Sequence, residues 1–153
     1  MDIKAIISKY DPPEENLIPI LHDIQEATEL KYLKDEDLVA VADYMNIPLS
    51  EIHGTVTFYS MFSRTPRGRH IIRVCESAPC HLMGATTIIQ ALEAILGIKV
   101  GETTKDKNFT LELTACLGIC AVAPAMMIDS EMHGNLTLEK VKEIIDGYRK
   151  EVS

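Results

Sequence analysis

The residues of this chain whose types and spacing could carry chemistry are its 4 cysteines. Val74–Ala85 reads VCESAPCHLMGA and Ala115–Ala125 reads ACLGICAVAPA, so Cys75 and Cys80 form a C-x4-C pair and Cys116 and Cys120 a C-x3-C pair. Three kinds of centre use such a set. Disulfides need an oxidising compartment, and nothing in the chain indicates one. Structural zinc accepts four cysteines at similar spacings. A [2Fe–2S] cluster also takes four thiolates, two on each iron. The x4 and x3 loops are long enough to wrap two irons and still aim backbone N–H groups at the sulfurs. Gly118 lets the second loop approach closely, whereas Pro79 in the first has no N–H to offer.

Both pairs follow strand-like runs. HIIRVC closes at Cys75. FTLELTA alternates, with Phe109, Leu111, Leu113 and Ala115 on one face, and runs into Cys116. If the two strands are parallel neighbours, both cysteine loops lie at one edge of the sheet and the four thiolates converge there. AMMID (Ala125–Asp129) reads as a third strand that turns at HGN (His133–Asn135). Ile88, Leu92, Ile95 and Leu96, stopped by Gly97, form one amphipathic helix. Leu138, Val141, Ile145 and Tyr148, capped by Thr137, form another. Upstream, three helical stripes recur: Leu17, Ile20, Leu21 and Ile24; Leu38, Val41, Ala42 and Met45; and Leu49, Ile52, Val56 and Tyr59. A short helix is expected over Met1–Tyr10. DPPEEN and NIP punctuate the stripes, and Asp35-Glu36-Asp37 suits the positive end of a helix dipole. The expected fold class is therefore α+β. A helical bundle over residues 1–63 is joined through SRTPRGR to a strand–helix–strand–strand–helix domain over residues 64–153.

With 46% hydrophobic and 25% charged residues, a chain of 153 residues can bury a substantial core. No apolar run reaches the roughly 20 residues that span a bilayer, and MDIKAIISKYDPPEEN does not read as a signal peptide. The expected location is the cytoplasm. Residues 1–63 hold four lysines, no arginine and twelve acidic residues, matching the whole chain's net charge of −8. Such a surface disfavours nucleic acid; it is either simply solvated or suited to a basic partner. No G-x-G-x-x-G and no P-loop motif is present, so no nucleotide site is expected in this chain. His53, His70 and His81 are not needed as ligands once four cysteines are counted, and Met126 and Met127 read as core fillers. The apolar residues of EIHGTVTFYSMF (Glu51–Phe62) read first as bundle core and second as a docking surface.

The cysteine pattern, CHLMGA after Cys80 and CLGICAVAPAMMI around the second pair resemble the thioredoxin-like [2Fe–2S] ferredoxin family. ENLIPILHDIQEA, ADYMNIPLSEIHGTVTFYSMF and HGNLTLEKVKEII extend the resemblance over roughly residues 11–148. Members of this kind are small iron–sulfur subunits of NADH:quinone oxidoreductase (complex I), of NAD-linked and electron-bifurcating hydrogenases, and of NAD-dependent formate dehydrogenases. The resemblance implies a thioredoxin-like domain behind a helical bundle, and one [2Fe–2S] cluster. It implies that Cys75 and Cys80 hold one iron and Cys116 and Cys120 the other. It also implies a partner flavoprotein subunit that supplies FMN and the NAD(P) site. A hydrogenase is the parent complex favoured at this point, with complex I or formate dehydrogenase as alternatives. A zinc-stabilised adaptor is the alternative of another class.

Overall fold

Each upstream stripe becomes the inner face of a helix. After a short α1 (Ile3–Ile7) come α2 (Leu17–Ala27), α3 (Asp35–Met45) and α4 (Leu49–Phe58). Ile20, Leu21, Ile24, Leu38, Val41, Ile52 and Val56 meet in one core with Leu33 and Phe62. Helix α3 starts where the Asp37 carboxylate accepts the Lys34 N–H at 3.1 Å, satisfying a donor left free at the helix end. It stops at Asn46, which takes the left-handed conformation with φ 54°. The computed structural model describes residues 3–11 and 14–151, so Met1, Asp2 and the prolines of DPPEEN lie outside it. The stripe expected through Leu49 and Tyr59 holds only at Ile52 and Val56; Leu49 and Tyr59 are exposed. The reason is that α4 ends at Phe58, and Phe62 rather than Tyr59 turns back into the core.

The chain divides into the units Met1–Arg67 and Gly68–Ser153. The second unit contains β1 (His70–Cys75), α5 (Ala78–Leu82), α6 (Ala85–Leu96), β2 (Phe109–Thr114), β3 (Met126–Ile128), β4 (Glu131–His133) and α7 (Leu138–Glu151). The sheet order is β2-β1-β3-β4. β1 and β2 are parallel, with Cys75 opposite Thr114; β3 runs antiparallel to β1 and to β4. Ile72, Val74, Leu111, Met126 and Ile128 pack with Ile88, Leu92, Val141 and Ile145 into the core of this unit. Gly97 ends α6 at φ 69°, and the Thr137 hydroxyl accepts the Lys140 N–H at 3.2 Å at the start of α7.

Three details differ from expectation. A fourth strand, β4, is present. The turn after β3 falls at Asp129, φ 51°, not at His133–Asn135. The Asp129 carboxylate makes that turn: it accepts the Ile71 N–H at 3.0 Å and lies 2.7 Å from His70 Nδ1. In β2 the alternation fails at its end, where Leu113 is exposed, because β2 is an edge strand and its last residues reach the cysteine loops. Thr110 is buried instead; its hydroxyl accepts the Gly68 N–H at 2.6 Å.

Candidate metal centre

The parallel pairing of β1 and β2 meets the condition set by the sequence: the two cysteine loops leave neighbouring strands at the same edge. Cys75 is the last residue of β1, and Cys80 lies in α5, a five-residue helix that the sequence did not announce. Pro79 sits in the first turn of α5, where its missing N–H has no helical partner to lose. Cys75 and Cys80 are both buried. In the second loop, Gly118 has φ 80°. This turn brings Cys116 Sγ and Cys120 Sγ to 3.4 Å and aims the Gly118 N–H at Cys116 Sγ, 3.3 Å away. Cys116 and Cys120 are exposed, and all four cysteines are free thiols.

The two loops influence each other's thiols: the Leu117 backbone of the second loop lowers the Cys75 pKa, and the charge of Cys120 raises that of Cys80. Ala85, Ala123 and Ala125, with Leu117 and Ile119 against them, pack around Cys75 and Cys80. Burial opposes ionisation of Cys75. Against it, the Ser77 amide, the Cys80 thiol, the Leu117 amide and the Ser77 hydroxyl together hold its pKa below the ordinary thiol value. Burial raises the Cys80 pKa, and Cys75 adds to the rise. At Cys120 the hydrogen bond with Cys116 is the main cause of a raised pKa. Ser77 and Leu117 were not legible as site residues; the only signal was their position one or two residues from a cysteine.

Four free thiols therefore stand on two adjacent loops, a buried pair in the first and a pair 3.4 Å apart in the second. A two-iron centre takes two thiolates on each iron, and this donor set fits it. None of the histidines completes the site: His81 is exposed and only 3.4 Å from the Thr86 hydroxyl, and His70 is held by Asp129 at the opposite end of β1. Met126 is fully buried in the core. Among the described residues, no helix is long and apolar enough to cross a membrane.

Two thiol pairs on adjacent loops leaving parallel strands are a donor set that fits a binuclear iron–sulfur centre. The chain belongs to the thioredoxin-like [2Fe–2S] ferredoxin family, whose model matches residues 3–149, and its cofactor is one [2Fe–2S] cluster. It is 42% identical over 140 residues to one subunit of the NADH-quinone oxidoreductase of Salmonella typhimurium, covering 92% of this chain and 83% of that relative. It is 33% identical over 147 residues to the HndA subunit of the NADP-reducing hydrogenase of Solidesulfovibrio fructosivorans, covering 96% and 85% of the two chains. Among solved structures, an air-oxidised NAD+-reducing [NiFe]-hydrogenase matches with a TM-score of 0.79 and 25% identity over 90% of this chain. The match spans only 23% of that hydrogenase chain. The relatives are subunits of oxidoreductase complexes, and this chain is an electron-transfer iron–sulfur subunit of that type.

Proposed function

We propose that Cys75 and Cys80 bind one iron and Cys116 and Cys120 the other, and that the chain passes single electrons to and from the FMN of a partner flavoprotein subunit in a cytoplasmic NAD(P)H-linked complex. When bound, the cluster supplies a one-electron acceptor and donor. The protein holds the four thiolates on two loops braced by β1 and β2. It directs the Gly118 amide at the Cys116 sulfur, where it favours added negative charge. Ala85, Ala123 and Ala125 keep water from the inner pair. The observation that carries this reading is the placement of two cysteine pairs on the loops after parallel β1 and β2, with the inner pair buried and 3.4 Å between the outer sulfurs.

For the parent complex, the 42% identity to the quinone oxidoreductase relative exceeds the 33% identity to the hydrogenase relative. This favours an NADH-quinone oxidoreductase over the hydrogenase favoured from the sequence. The hydrogenase remains the second reading, supported by the structural match to the NAD+-reducing enzyme. Analysis of the purified protein tests the centre: about two irons and two acid-labile sulfides per chain are expected. One zinc and no sulfide would contradict it.

A further inference from the structure

The second cysteine loop is held from outside the site, by the connection between β4 and α7. Cys120 opens a single short helical turn, Cys120–Val122. In it the Val122 N–H reaches the Ile119 carbonyl at 3.0 Å, and the Ala123 N–H reaches the Cys120 carbonyl at 3.2 Å. A displacement of Val122 is therefore carried to Cys120. Gly134–Leu136 lies against this turn: the Asn135 N–H donates to the Val122 carbonyl at 2.5 Å, and the Leu136 N–H to the Pro124 carbonyl at 3.2 Å. Asn135 takes the left-handed conformation with φ 50°, which asparagine tolerates better than most residues. The Gly134 carbonyl accepts Lys140 Nζ, from the first turn of α7, at 2.5 Å. Gly134 is the point of tightest approach. A Cβ there would stand 2.7 Å from Val122 Cβ and 2.8 Å from the Val122 carbonyl oxygen, the atom that accepts the Asn135 N–H. Packed atoms sit farther apart than this, so the approach requires a residue without a Cβ.

We propose that Gly134 is a positioning residue for the metal centre: held by Lys140, it fixes Val122 and through it the place of Cys120 beside Cys116. The outer pair needs such a hold. Cys75 and Cys80 are packed by Ala85, Ala123 and Ala125, whereas Cys116 and Cys120 are exposed. Side-chain packing does not locate an exposed thiol, so the backbone of its loop must. That backbone is fixed before Cys120 by the turn at Gly118 and after it by the bonds from Asn135 and Leu136. The HGN stretch, expected from the sequence to turn a hairpin, is in this reading the buttress of the cysteine loop. Groups that orient a metal ligand without touching the metal change its affinity about 10- to 100-fold when lost. A Cβ at Gly134 would push Val122 away, move Cys120 relative to Cys116 and loosen the hold of the outer pair on iron.

This inference rests on the proposed function, and its test separates the two. The cluster-loaded protein is prepared as wild type, Gly134→Ala, Lys140→Met and Gly68→Ala. The last is a control that crowds Phe109, at the end of β1 and β2 away from the cysteines. Loss of the visible bands to excess EDTA is timed, and the EPR spectrum of the dithionite-reduced protein is recorded. Gly134→Ala is expected to lose its cluster about tenfold faster than wild type, with shifted g-values. Lys140→Met is expected to lose it about threefold faster. Gly68→Ala should match wild type in both readouts although its urea midpoint falls. If Gly134→Ala keeps the wild-type EPR spectrum and a rate within about twofold of wild type, the positioning role is wrong and the electron-carrier reading stands. If Gly68→Ala changes both readouts as much as Gly134→Ala does, the effect is general destabilisation and the role is again overturned. Where Gly134→Ala yields no folded protein, Lys140→Met decides, and wild-type behaviour from it overturns the role. If wild type itself holds no iron and no sulfide, both this inference and the proposed function fall.

Discussion

At the scale of single residues, the four cysteines are not equivalent: Cys75 and Cys80 are buried, and Cys116 and Cys120 are exposed. Each belongs to a pair, so changing any of the four to Ala should remove half the protein ligands of one iron and lose or badly destabilise the cluster, as read by its visible and EPR spectra. His81→Ala should keep both spectra, because His81 is exposed and its ring nitrogen faces the Thr86 hydroxyl. A normal spectrum from Cys120→Ala would overturn the pairing. His133 provides a pH prediction. Burial is the main cause of its lowered pKa; Glu131 opposes the shift and Lys140 adds to it. Its Nε2 is buried without a partner. The unfolded chain therefore takes up a proton near the ordinary value of 6.5 while the folded chain does not. The contribution of neutral His133 is full above that pH and is lost as the pH falls through it towards the lower folded value. Urea midpoints should fall between neutral and mildly acid pH more in wild type than in His133→Phe; equal falls would remove His133 from the account.

At the scale of elements, close approaches make sharper predictions than periodicity does. A Cβ at Gly68 would stand 2.6 Å from the Phe109 carbonyl carbon, against backbone that cannot move aside. Gly68→Ala should cost about 1–3 kcal/mol. At Gly54, in the middle of α4, a Cβ meets nothing within 4 Å, so Gly54→Ala should stabilise by about 0.5–1 kcal/mol. Urea unfolding of the two variants should give midpoint shifts of opposite sign. Helices with a full apolar stripe, such as α3 and α6, were legible because burial follows one period over three turns. The parallel pairing of β1 and β2 was legible only as a condition, since sequence spacing places two cysteine loops without placing their strands. β4 was not legible: at three residues, with Glu131 and Met132 exposed, it has no apolar alternation to read. Neither was α5, whose APCHL is too short for a helical stripe and is fixed by the preceding strand end and Pro79. The inner face of α4 was read one turn too far, because the sequence does not say that the chain leaves the helix at Phe58.

At the scale of the whole molecule, the chain is a carrier that depends on a partner. A hydride delivers two electrons and a [2Fe–2S] centre accepts one, so oxidation of NADH requires a flavin to divide the pair. Neither unit contains a dinucleotide fingerprint in its sequence. The measurement that tests this most directly is an anaerobic titration of the purified, cluster-loaded protein with NADH, followed in the visible spectrum. NADH alone should leave the bands unchanged, dithionite should bleach them, and a catalytic amount of the flavin-bearing partner should make NADH bleach them too. Rapid bleaching by NADH with no flavoprotein present would contradict the account.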